Sequence, residues 1–357
     1  MGPRWFRGAL TAALLATAAA PPALPAADRL ERFRTVAREG VAVAPDAAER
    51  ERAIAELYEV VDGEVLDSLR AGEPFSSPVF LRERLDALTE VWGGATLRVL
   101  RVPGGGGRAP LTLGVYGLAG VEGSGVLRVY TGTGPGAALA ASSTQDGMLD
   151  VQAWPVGPDG VARVLALWSG PPAAHGARVL RAELWEERAP ARVRRTWGTA
   201  PEWPHGLRAS QWRAQPGGLV VRYEPRYPGW KPGCPGQLEH EDHYRLAANG
   251  GLALARRQLH NAWHRELGTA TDRFFRALAE GDARALGLLV PAPGLRARLP
   301  RGLVAEPVCE QAGPAGPRGA VTVAATEVRE GRRVPWALAW TRAPAGWRLH
   351  AAAPVLE

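Results

Sequence analysis

Apolar positions change period twice along the chain. From Asp46 onward, Ile54, Leu57, Tyr58, Val61, Val65 and Leu69 recur at helical spacing, so one stripe of a helix can face a core. Asp46 with Glu49 three residues on has the spacing of a capping box, with aspartate in place of Ser or Thr. Gly72 and Pro74 end this helix, and Ser77-Pro78 reads as an N-cap followed by proline at the first helical position. Leu81, Leu85, Leu88 and Trp92 form a second stripe, closed by Gly93-Gly94. Residues 28–45 are polar and mixed, a linker or a short helix ending near Gly40.

After Ala95 the pattern becomes a series of short β-like runs. They cover 97–102, 111–118, 126–131, 148–154, 161–168, 177–185, 192–197, 207–213, 219–223, 242–246 and 252–256. Turn signals such as Asp159-Gly160, Pro216-Gly217-Gly218 and Asn249-Gly250-Gly251 separate them, which predicts an antiparallel all-β domain. Tryptophans near strand ends (Trp168, Trp185, Trp197, Trp212) suggest a loose repeat, so a propeller-like body stands beside the sandwich as an alternative.

A third pattern begins near Asn261. Thr271 to Ala279 is helical with Phe274, Phe275 and Leu278 on one face, and Asp282 to Val290 resumes a helix. Apolar strands follow at 321–328, 334–341 and 347–352, with 303–308 as an irregular fourth. Two stretches, Phe274-Phe275-x-Ala277-Leu278-x-x-Gly281-Asp282 and Gly346-Trp347-Arg348-Leu349, resemble small NTF2-like (cystatin-like) domains. The resemblance implies a curved antiparallel sheet around a helix and a cone whose open end is a pocket. Trp336, Trp340 and His350 are then its candidate lining. That family includes enzymes and non-catalytic binding or assembly modules, and no catalytic pair carries over to a definite position. The expected organisation is multidomain: a leader at 1–27, a short helical N-terminal region at 28–94, an antiparallel all-β body at 95–260 and an α+β unit at 261–357.

The leader rests on Arg4 and Arg7, an uncharged apolar run from Gly8 to Ala20, and small residues up to Ala27 before Asp28. This is the three-part plan of a secretory signal peptide, and an uncleaved anchor is its alternative. No later stretch has the length of a membrane span, so no transmembrane segment is expected in the mature chain. The expected location is extracytoplasmic: periplasm, cell surface or medium. In such a compartment the two cysteines, Cys234 and Cys309, either form a disulfide joining the β body to the C-terminal unit or remain two buried thiols.

Composition removes several functions. Net charge is +7, acidic residues are interspersed, and no basic run exceeds two arginines, so nucleic acid is not an expected partner. Gly132 to Ala137 follows a strand but lacks the helix and βαβ frame of a dinucleotide site. The glycines at 104–107 lack the Lys-Ser/Thr ending of a phosphate loop. There is no GxSxG elbow and no SxxK, and Lys231, the one lysine, precedes Pro232 in a Gly/Pro-rich loop.

Two constellations remain. His240, His243, His260 and His264, with Glu241 and Asp242 between the first two, are candidate metal ligands near the domain junction, because imidazole and carboxylate suit zinc. A His260-x-x-x-His264 pair on a helix would share a face. Among the 13 tryptophans, Trp203 and Trp230, with Tyr227, sit in Pro/Gly-rich loops where a ring can stack on a sugar or peptide. The leading expectation is an exported, non-catalytic binding or assembly protein of the cell envelope, with no cofactor and an unknown protein or small-molecule ligand. The alternative is an envelope hydrolase with a His/carboxylate metal site. A third possibility is a carrier using the C-terminal cone.

Overall fold

The computed structural model describes residues 26–355, apart from 43, 45, 93, 94, 105, 119–122, 158, 174, 175, 313–317 and 330. All but the last two positions of the leader, and the Gly93-Gly94 break, lie outside the described residues.

Helix α1 (Ala26–Thr35) runs into a π-helical turn at Val36–Val41, and α2 (Ala47–Ala71) and α3 (Pro78–Trp92) follow. The expected caps form. Asp46 accepts from the Glu49 amide at 2.8 Å, and Ser77 accepts from the Phe80 amide at 3.3 Å. Strands β1 (Thr96–Val102), β2 (Leu111–Gly117), β3 (Ser124–Thr131) and β4 (Ala138–Asp146) then make an antiparallel meander. One face of that sheet, through Leu97, Tyr116, Val126 and Tyr130, shares a core with Phe33, Leu57, Val61 and Leu85 of the helices.

Its other face meets a second sheet. This contains β5 (Met148–Trp154), β6 (Ala162–Ser169), β7 (Arg178–Ala189), β8 (Arg192–Gly198), β9 (Leu207–Gln215), β10 (Gly218–Tyr223), β11 (Glu239–Leu246) and β12 (Leu252–His260). The order is β12-β11-β10-β9-β7-β6-β5, with β8 alongside β7. Leu113, Val115 and Val129 of the first sheet pack on Val164, Ala166 and Trp168 of the second. Strands β2 and β6 are covered on both faces, so they read as continuous apolar runs without alternation. Gly125 lets the sheets close together: a Cβ there would stand 2.7 Å from Leu149 Cβ, and its carbonyl accepts from Trp168 Nε1 at 2.8 Å.

The C-terminal region holds α4 (Ala262–Glu280), α5 (Ala283–Leu289) and α6 (Pro293–Arg298). They lie against β13 (Leu303–Ala305), β14 (Gln311–Ala312), β15 (Ala320–Arg329), β16 (Arg332–Ala343) and β17 (Gly346–Pro354). The order is β13-β15-β16-β17, with β14 also on β15. Phe274, Leu278, Trp336, Leu338, Trp340 and Trp347 form its core. Asp282 caps α5, accepting from the Arg284 and Ala285 amides.

The body is therefore three open antiparallel sheets, the first two packed face to face, behind a short helical region. Among the described residues none of these sheets closes on itself, and the second is one continuous eight-stranded layer and not a set of four-stranded blades, so the propeller-like alternative is set aside. Among the described residues no helix is long and apolar enough to cross a membrane.

Candidate functional site

Strand β11 alternates its polar residues by face. Period two puts His240, Asp242 and Tyr244 on one side of the sheet and Glu239, Glu241 and His243 on the other. Asp242 is fully buried. Its directly opposed residue in β12 is Arg257, whose Nε and Nη2 donate to the two carboxylate oxygens, both at 2.7 Å. The hydroxyls of Tyr223 and Tyr244 donate to Oδ2 at 3.0 and 3.1 Å. Burial pushes the Asp242 carboxyl up, but the Arg257 fork and the two tyrosines outweigh it and hold it below the usual carboxylate range.

This network fixes a tautomer. Tyr223 gives its one proton to the buried carboxylate and accepts from Arg257 Nη2 at 3.2 Å. His240 Nδ1, 3.3 Å from the same hydroxyl, can therefore only donate, and Nε2 keeps its lone pair. Burial, and then the Arg257 charge, hold the imidazole below its ordinary pKa, so it stays neutral at pH 7.

Above this hub lies a cavity of about 630 Å³, running from exposed Glu202, His205 and Arg226 down to half-buried His240 and buried Tyr223, with the partly exposed Arg257 also in its lining. One wall is Trp203, set edge-on to Tyr223 at 5.7 Å. A turn positions it: the Trp203 amide donates to the Thr199 carbonyl at 2.8 Å, and buried Thr199 accepts from the Ala182 amide through Oγ1 at 3.1 Å. Nearby, the guanidiniums of Arg208 and Arg226 lie 5.9 and 5.7 Å from the Trp230 ring centre. Trp230 Nε1 donates to Glu224 at 3.4 Å. Arg208 Nε is buried without a hydrogen bond, 4.0 Å from Glu224.

A second cluster sits at the junction with the C-terminal region. Buried His264 contacts Glu310 through Nε2 at 2.9 Å and the Tyr227 hydroxyl through Nδ1 at 2.7 Å, and Lys231 Nζ pairs with Glu310 at 2.8 Å. Burial raises Glu310, but His264 and Lys231 prevail and hold it at about 2. Cys234 and Cys309 form a disulfide beside it, with Cα atoms 5.3 Å apart. The loop carrying Tyr227 docks on α4 through two glycines: a Cβ on Gly229 would lie 3.2 Å from the Gly268 Cα. Tyr227 thus holds the loop in place and does not offer a free ring.

The four candidate metal-ligating histidines separate. His240 faces the Tyr223 hub. His243 and His260 flank Glu241 on the opposite face, with Nε2 atoms 2.9 and 3.0 Å from its two oxygens. His264 belongs to the junction. His260 and His264 do not share a helix, because His260 ends β12 and α4 starts only at Ala262, after Asn261 in the left-handed region (φ 55). Among the described residues no group of three or more His, Cys, Asp or Glu is placed to hold a metal ion. The C-terminal lining is also revised. Trp336 and Trp340 are core residues, at 8% and 0% exposure, since the even positions of β16 face α4; His350 is on the exposed face of β17.

Of the aromatic candidates, Trp203 lines the cavity and Trp230 stands beside it. Sequence reading missed Tyr223, Arg257, Glu202 and Arg208 as site residues. The available signal was an aspartate at 242, in phase with the buried tyrosine at 244. No family model, curated protein or solved structure matches the chain.

Proposed function

We propose that the protein is an exported, non-catalytic binding protein of the bacterial envelope whose ligand site is the cavity over Tyr223, His240 and Arg257. One observation carries this reading. The groups beneath the cavity satisfy one another, while Trp203, His240 and Arg226 line a space large enough for a small molecule. The Cys234–Cys309 disulfide supports an oxidising compartment. The C-terminal helix-and-sheet unit, read as NTF2-like, serves here as an assembly module tied to the site through the junction cluster.

An envelope hydrolase is the second reading. The neutral His240 imidazole with an unshared Nε2 lone pair favours it, since such a nitrogen can act as a general base. The separation of the four histidines weighs against its metal-dependent form.

Native mass spectrometry of the protein, incubated with a small-molecule extract of bacterial envelopes, tests the binding reading. A retained mass that is unchanged on release and absent with Trp203→Ala is expected. A retained mass insensitive to that substitution, or release of a chemically altered molecule, would overturn it.

A further inference from the structure

We infer that the cavity over Tyr223 and His240 recognises a hydroxyl-rich saccharide; this rests on the binding reading above and assigns the ligand its chemical class. The argument begins with charge. The groups in and beneath the cavity are Arg208, Arg226 and Arg257 against Glu202, Glu224 and Asp242, so the signs balance. A simple anion or cation finds no net field there. An apolar ligand would cover the Glu202 carboxylate and His240 Nε2 without giving either a partner, which is costly.

A sugar hydroxyl is both a donor and an acceptor. Neighbouring hydroxyls can therefore give protons to Glu202, Glu224 and His240 Nε2 while accepting from Arg208 and Arg226. The half-buried ring of Trp203 supplies what the polar groups do not, a flat apolar face for the C–H side of a pyranose. Burial and then the Arg257 charge keep His240 neutral, and because its Nδ1 donates to Tyr223, its Nε2 accepts at neutral pH.

The test is calorimetric titration of the full chain at neutral pH with cellotriose, maltotriose, chitotriose and, as a peptide of comparable length, trialanine. At least one trisaccharide is expected to bind, about tenfold more weakly to Trp203→Ala. Because Trp203 also packs on Tyr223, Glu202→Gln is the second variant; Glu202 is exposed, so the melting temperature should hold while affinity falls about threefold. Binding of trialanine alone, weakened by Trp203→Ala, would overturn the saccharide class and leave the cavity as a binding site. A trisaccharide bound equally by wild type and both variants would overturn the placement. No binding of any probe would overturn both.

Discussion

Two clusters in this molecule use the same parts and reach opposite results. In the N-terminal region, Tyr116 and Tyr130 share a 3.0 Å contact between hydroxyls, Tyr130 donates to Asp62, and Arg128 stands 3.2 Å from the same carboxylate. In the second sheet, Tyr223 and Tyr244 surround Asp242 with Arg257. Asp62 is raised and Asp242 is lowered. In each case burial is the largest influence and raises the carboxyl; the difference lies in the donors. Arg257 sits directly across the ladder and offers a two-pronged fork. Arg128 approaches with Nε out of hydrogen-bond alignment and lies over the Tyr58 ring at 5.5 Å. Alignment, more than the inventory of residues, decides whether a buried carboxylate is stabilised by its neighbours.

Substitutions should split the two clusters. The largest effect is expected from Asp242→Asn, which removes the charge facing Arg257 and leaves two tyrosines without a strong acceptor. A loss of about 3 kcal/mol in urea unfolding is expected; the value sits at the low end for a broken buried pair because Arg257 is partly exposed. A loss below about 1 kcal/mol would show that the network is incidental.

Acidification is the next expected effect. The depressed carboxyl of Asp242 contributes stability that is complete above the ordinary carboxylate range and is lost as pH falls through its folded value. Asp62, whose folded value is raised, runs the other way: it costs stability at neutral pH, and the cost is relieved as pH falls through that value. Unfolding curves of wild type and Asp242→Asn should therefore converge in acid.

Tyr223→Phe comes third, with about 1 kcal/mol lost and the His240 tautomer released. The smallest effect belongs to Asp62→Asn. It should be neutral or stabilising by under about 1 kcal/mol at pH 7, and any gain should vanish on mild acidification. A loss of several kcal/mol there would erase the distinction between the clusters.

Much of the fold is legible in the residues because it depends on local pattern. The Asp46 cap, the Leu57–Val61–Val65–Leu69 stripe and most strand cores appear where periodicity puts them. Strand β4 was invisible for a physical reason. Ala138–Asp146 carries small and polar residues and has no fully buried position; ladder hydrogen bonds to β3 and the partly buried Ala141 hold it, which leaves little hydrophobic signal. The first turns of α4 were missed because Gly268 and His264 weaken a helical reading, although both are there to meet the docked loop. The site needed more than pattern. Arg257 faces Asp242 only because the Asn249-Gly250-Gly251 turn, and a register shift between His243 and Tyr244, set the β11–β12 pairing. A shift of one residue would have sent every side chain to the other face. The same dependence separated the four histidines, whose closeness in sequence suggested a common site.

The central claim is that function resides over the Tyr223–Asp242 hub, and neither at the His243–Glu241–His260 group nor at the His264 junction. Nitrogen-15 NMR of the histidine side chains reads this directly. His240 should show a protonated Nδ1 and a free Nε2, titrate below 6.5, and be the imidazole that shifts when a bound small molecule fills the cavity. A protonated Nε2 on His240, or ligand-induced shifts confined to His243, His260 or His264, would contradict it.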